Sequence, residues 1–186
     1  ISAARAGAKV TLVEYGGKLG GMWTLGLLSP FFDNRIHQGL NEELRTHLQE
    51  RNAWGGLWNI SFDPTQMALL LDELVLAENI DVLLYSIATE PIMDGDAIKG
   101  VMVVNKSGTQ AILAKVVIDC SGDGDIAARA GAPYDIGRPD NGVFQPMTMM
   151  FKLGGVKDDY PRDDTIGFYR AICKEAPEDS VLKDVP

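Results

Sequence analysis

The chain has 186 residues, 46% of them hydrophobic and 23% charged, enough for one good-sized domain or for one domain and part of another. Its formal net charge of -9 argues against nucleic acid or anionic lipid as a partner. No apolar run reaches the length of a membrane span and no secretory pattern opens the sequence. The two cysteines, Cys120 and Cys173, lie far apart and suggest neither a disulfide framework nor a metal site, which points to a reducing, cytoplasmic setting.

Taken in order, Ile1, Ala3, Ala4 and Ala6 read as the last turns of a small-residue helix that stops at Gly7. A helix ending in glycine just before a strand is the second half of a βαβ unit, so a first strand and its phosphate-binding loop are expected before Ile1. Val10, Leu12 and Val13 predict a buried parallel strand ending at Glu14, followed by a loop rich in glycine (Gly16, Gly17, Gly20 and Gly21). Leu40, Leu44 and Leu48 give one apolar stripe on a helix over residues 41–49. Trp54 and Trp58 flank a Gly-Gly turn and read as anchors of a loop or hairpin. Asp63 and Pro64 form a helix start, with Asp63 as N-cap and Pro64 in the first turn. That helix is predicted to reach about Glu78, with Met67, Leu70, Leu71, Leu74 and Val75 facing inward.

A turn at Asn79–Asp81 then leads into one strand that bends near Ala88. Asp94-Gly95-Asp96 marks a hairpin into the strand of residues 97–105, and Ser107-Gly108 marks a second turn. The pattern predicts an antiparallel meander whose last strand, residues 111–119, re-enters the main parallel sheet. A short helix over residues 125–131 follows, with Asp125 near its N-cap and Gly131 as its stop. Residues 145–156 offer one further strand, with Met147, Met149, Met150 and Phe151 read as packing residues. An amphipathic segment around residues 166–173 precedes an acidic, polar end, which reads as solvated surface.

Chemistry concentrates at two strand ends. A carboxylate at the position of Glu14 can accept hydrogen bonds from ribose hydroxyls, and the glycines after it allow close approach of a ligand. Gly122 and Gly124, in the turn Ser121–Asp125, could direct backbone N–H groups at a pyrophosphate, helped by the start of the next helix. Asp123 and Asp125 would repel that group, so they must point away, cap the helix, or hold water or a hydroxyl.

These motifs, in this order, together with FDPTQMALLLDELVLAENIDVLLYS and QPMTMMFKLGG, resemble the FAD-dependent oxidoreductases of the glutathione-reductase-like group with two dinucleotide-binding domains. The resemblance covers about residues 1–156. It implies an α/β fold: a Rossmann-like FAD-binding domain with a parallel sheet and an inserted antiparallel meander, its first βα element lying before Ile1. Residues 1–144 would form that domain and residues 145–186 would begin a substrate or cap domain. By the same resemblance the cofactor is FAD. Glu14 would bind the adenosine ribose, and Gly17, Gly20, Gly21, Met22 and Thr24 would line the diphosphate and ribityl path. The backbone of Ala88 would face the adenine. Cys120, Ser121 and Gly122 stand where the family has Ala-Thr-Gly near the pyrophosphate, with Asp125 just beyond.

The implied activity is hydride or electron transfer to or from a small-molecule substrate, and residues 1–186 alone are expected to be inactive. Two other readings stay open on sequence: an NAD(P)-binding Rossmann dehydrogenase, and a flavin-using RNA-modifying or non-redox protein. The Gly-Gly loop after Glu14 and the meander favour FAD over NAD(P), and the acidic composition speaks against RNA. No catalytic acid or base can be named. His37 is a candidate substrate-side residue, whereas His47 reads as a solvated helix residue and Cys120 as a small buried hydrophobe.

Overall fold

The computed structural model describes residues 1–32, 38–55, 59–152 and 174–175. Residues Ile1–Met150 form one compact unit and Phe151–Pro186 a second, and every named element belongs to the first. His37, Trp58, Cys173 and the amphipathic segment of residues 166–173 lie outside the described residues.

The chain opens with α1 (Ser2–Arg5), and Gly7 takes the left-handed φ of +88° that releases the chain from the helix. β1 (Thr11–Val13) then pairs in parallel with β4 (Asp81–Leu83), in the register Thr11↔Asp81 and Val13↔Leu83. Its expected full burial is not observed: Thr11 is exposed, and Leu12 and Val13 are half-buried. The sheet holding β1 has only two strands among the described residues, so part of its surface stays open. Successive side chains of a strand point to opposite faces. Leu12 accordingly joins Leu19, Val75 and Ile80 on one side, while Val13 joins Val101, Val103 and Ile126 on the other.

α2 (Leu40–Glu50) buries Leu44 and Leu48, two members of the predicted stripe. β2 (Trp54–Gly55) and β3 (Ser61–Phe62) form the short hairpin that carries Trp54. α3 (Pro64–Ala77) begins as predicted, with the Asp63 carboxylate accepting the N–H groups of Thr65 and Gln66. Phe31, Leu44, Leu48, Ala53, Phe62, Met67, Leu70 and Leu74 make one core between α2, α3 and the hairpin. Arg5 ties this helical layer together: its guanidinium donates to both carboxylate oxygens of Glu43 and to Glu78, and it holds the Glu43 carboxyl below the usual range.

The meander consists of β5 (Ile87–Asp94), β6 (Ala97–Asn105) and β7 (Gly108–Leu113), all antiparallel. Residues 81–92 are two strands, not the single bent one expected. The break falls at Leu84–Ser86, where Tyr85 takes a φ of +49° and the Tyr85 and Ser86 N–H groups turn to the carbonyls of Gly16 and Glu14. A bend near Ala88 does occur, as a register shift between Ala88 and Glu90.

The strand expected over residues 111–119 also needs correction. β7 ends at Leu113, and residues 114–120 join no sheet among the described residues. Val117 packs inward on Val101, Val103 and Ile126, but Val116 and Ile118 are exposed. An apolar run predicts a strand, but a strand also needs a neighbouring backbone to bond with, and beyond the Ala114 N–H, which donates to the Lys99 carbonyl, residues 115–120 make no such bond among the described residues. The chain then enters α4 (Asp125–Arg129), which stops before Gly131 at a φ of +88°. Residues 145–152 form no strand, and Met147, Met149, Met150 and Phe151 are exposed, contrary to the packing role expected of them.

Candidate functional site

The end of β1 is stitched to the entry of the meander by backbone bonds alone. Glu14 N–H donates to Leu83 C=O at 2.9 Å, Ser86 N–H to Glu14 C=O at 3.0 Å, and Tyr85 N–H to Gly16 C=O at 3.0 Å. Glu14 is thereby fixed, half-buried, at the carboxyl end of a parallel strand. One carboxylate oxygen, Oε1, accepts the Gly16 N–H at 2.6 Å. The other has no hydrogen-bond partner among the described residues, so the side chain can still accept from a ligand hydroxyl.

The glycine loop divides into an anchored half and an open half. Leu19 is buried among Val75 and Ile80. Gly20, at a φ of +105°, presses on Thr24 and Leu71, where a Cβ would come within 2.6 Å of Thr24. Gly21 starts a single 3₁₀ turn (Gly21–Trp23) at a φ of +49°, with nothing within 4 Å of the place a Cβ would take. Met22 projects outward. Thr24 does not: it is fully buried, and its hydroxyl donates to the Leu19 carbonyl at 2.6 Å. It therefore braces the loop from inside. Trp23 anchors the turn by stacking on Phe31, with ring centroids 4.7 Å apart.

The second motif, the segment leading into α4, is organised by a residue to which the sequence motifs gave no role. Asp119 accepts the Ser121 N–H through Oδ1 at 2.9 Å and the Ala127 N–H through Oδ2 at 2.8 Å. These two backbone donors, Ser121 first, hold its carboxyl below the ordinary aspartate range. The signal was available, because an Asp two residues before a Ser and just ahead of a helix is the pattern of an Asx turn. Ser121 Oγ accepts the Asp125 N–H at 3.0 Å, so between them these side chains take up N–H groups at the start of α4. Gly122 and Gly124 take φ values of +94° and +72° with open space where a Cβ would stand. Asp125 is the first helical residue and faces Arg129 at 3.8 Å, which offsets the repulsion that sequence reasoning raised. Cys120 is exposed, not buried as expected.

One small apolar cluster brings the separate motifs to the same region. Val13, next to Glu14, and Ala88 pack with Val117 and with Ile126, next to Asp125, around Val101 and Val103. Arg129 adds a polar link, donating to the Thr89 carbonyl at 2.6 Å. His47 lies away from this region, on α2, with its Nδ1 3.2 Å from Glu50. No group of three potential metal ligands occurs among the described residues, and no helix there is long and apolar enough to cross a membrane.

A parallel strand ending in a half-free carboxylate, open glycine turns and an inserted antiparallel meander define a dinucleotide-binding α/β domain of Rossmann type. More narrowly, the chain belongs to the FAD dependent oxidoreductase family, which it matches over residues 1–183. FAD is accordingly its cofactor. The adenosine side of a flavin dinucleotide fits what is present, since Glu14 keeps an acceptor oxygen and Gly21, Gly122 and Gly124 leave space at their backbones.

Among solved structures, the chain is similar to CabE, an aromatic hydroxylase from angucycline biosynthesis, with 15% identity and a TM-score of 0.49 over 69% of this chain and 29% of that one. It is also similar to Thermovibrio ammonificans THI4, with 18% identity and a TM-score of 0.46 over 68% of this chain and 53% of that one. The chain thus spans about half or less of the length of these two structures. No curated protein matches the sequence.

Proposed function

We propose that the protein is a flavin-dependent oxidoreductase acting on a small molecule, and that this chain supplies the adenosine and diphosphate side of the flavin site. When bound, FAD supplies hydride or electron transfer, while the residues around it bind, orient and shield it. In this reading the free oxygen of Glu14 accepts from the adenosine ribose hydroxyls. Gly17, Gly20, Gly21 and Met22 border the path of the diphosphate and ribityl chain, with Thr24 bracing that loop from within. The backbone at Ala88 faces the adenine. Cys120, Ser121 and Gly122 approach the pyrophosphate, and Asp125 stands beyond them, paired with Arg129.

The observation that carries the reading is the convergence of Val13, Ala88, Val117 and Ile126 on one cluster, because they adjoin three motifs far apart in sequence, Val117 and Ile126 flanking the third. Residues 1–144 then constitute the FAD-binding domain and residues from 145 onward begin a substrate domain. A reducing, cytoplasmic location agrees with the exposed, unpaired Cys120. The purified protein, as isolated or after reconstitution with FAD, should show flavin absorbance. A colourless protein that binds NADH and takes up no FAD would overturn this reading.

A further inference from the structure

We infer that Tyr85 is a ligand-contacting residue of this site, its ring forming the side wall against which the adenine base stacks. The inference rests on the flavin reading and extends it to a residue which neither the sequence motifs nor the family match single out. Tyr85 is held in an unfavourable backbone conformation, a φ of +49° that non-glycine residues adopt rarely and that clusters at functional positions. Two bonds impose it: Tyr85 N–H to Gly16 C=O and Ser86 N–H to Glu14 C=O, each 3.0 Å. The same two bonds tie Tyr85–Ser86 to the backbone of Glu14–Gly16, the segment whose carboxylate is proposed to hold the ribose.

Its side chain does not pack into a core, since 73% of the residue is exposed. The hydroxyl end of the ring rests instead on the glycine loop, where a Cβ on Gly17 would lie 2.1 Å from Tyr85 Oη. Gly17 therefore leaves room for this ring. The hydroxyl has no hydrogen-bond partner among the described residues. An aromatic ring resting on the glycine loop that follows Glu14, with most of its surface open, has the form of a stacking platform for a purine, and base–aromatic stacking is a substantial and base-tolerant source of affinity.

The test uses the apo-protein, FAD titrated by fluorescence, and ADP as a competitor that carries the adenosine half alone. Y85A and Y85L should weaken FAD and ADP by the same factor, about ten-fold. Y85F should stay near wild type, because the ring and not the hydroxyl does the stacking. Unchanged thermal unfolding midpoints would show that all variants fold. If wild type binds FAD and Y85A binds it equally well, the inference is wrong and the flavin reading stands. The inference also fails if FAD weakens while ADP does not, or if Y85L matches wild type. A folded wild type that binds no FAD would overturn both.

Discussion

Replacing Asp119 with alanine removes two backbone hydrogen bonds at once, to Ser121 at 2.9 Å and to Ala127 at 2.8 Å. Bonds to a charged acceptor contribute about 1.5–3 kcal/mol each, and loss of a helix N-terminal acceptor costs about 0.5–2 kcal/mol. The carboxylate is only half-buried, so water replaces part of what is lost. A net loss of about 2 kcal/mol is expected, or roughly 4–8 °C in Tm for a domain of this size. The effect should also depend on pH in a defined direction. The folded carboxyl lies below its ordinary value, chiefly because of the Ser121 and Ala127 N–H groups. A group depressed by folding contributes stability that is fully present above its unfolded pKa, about 3.9, and is lost as pH falls through the folded value. Thermal unfolding followed by circular dichroism should therefore show the full gap between wild type and D119A near about pH 7, narrowing below about pH 4. A gap absent at neutral pH, or constant down to the most acidic condition at which both proteins fold, would refute the reasoning.

Two further substitutions probe the scaffold. Leu48, fully buried between α2, α3 and the hairpin, should cost about 2–5 kcal/mol when changed to alanine, read as a lower urea midpoint at unchanged slope; a loss under about 1 kcal/mol would contradict its place in the core. In G100A the new Cβ would stand 2.1 Å from the Ile112 carbonyl oxygen, a backbone atom with little freedom to yield. The β6–β7 ladder must then shift, at a cost of roughly 1–3 kcal/mol, and amides of β7 should lose hydrogen-exchange protection. Unaltered exchange would show that the pairing tolerates the methyl group.

The elements with strong local signals were legible in the sequence. Asp63 and Pro64 start α3 as their chemistry demands, Gly95 and Gly108 make the meander's turns, and Leu44 and Leu48 mark the buried side of α2. Failures came where the outcome depends on a distant backbone. The apolar run of residues 116–118 reads as a strand, but strand formation needs a bonding neighbour that no local pattern supplies. Tyr85 interrupts an apolar run because its N–H group and that of Ser86 answer Gly16 and Glu14, some seventy positions away in sequence. Met147 and Met149 are apolar but exposed, since hydrophobicity alone does not provide a surface to pack on. Within the candidate site, the glycines and Glu14 stand out in the sequence and the Asp119–Ser121 turn carries a local signal, whereas the inward turn of Thr24 has none. The Thr24 hydroxyl turns inward because the Leu19 carbonyl needs a donor there, and that depends on the path of the folded loop.

The most direct test of the central claim is an equilibrium titration of the apo-protein with FAD, comparing wild type with E14A and E14Q. Glu14 offers a ligand one free oxygen while the other ties down Gly16. Losing that charged acceptor should weaken FAD by roughly 1–3 kcal/mol in E14A, about 5- to 150-fold in Kd. E14Q, which can keep the bond to Gly16 but carries no charge, should fall between E14A and wild type. Wild-type affinity in both variants would contradict the assignment of this strand end to the adenosine ribose.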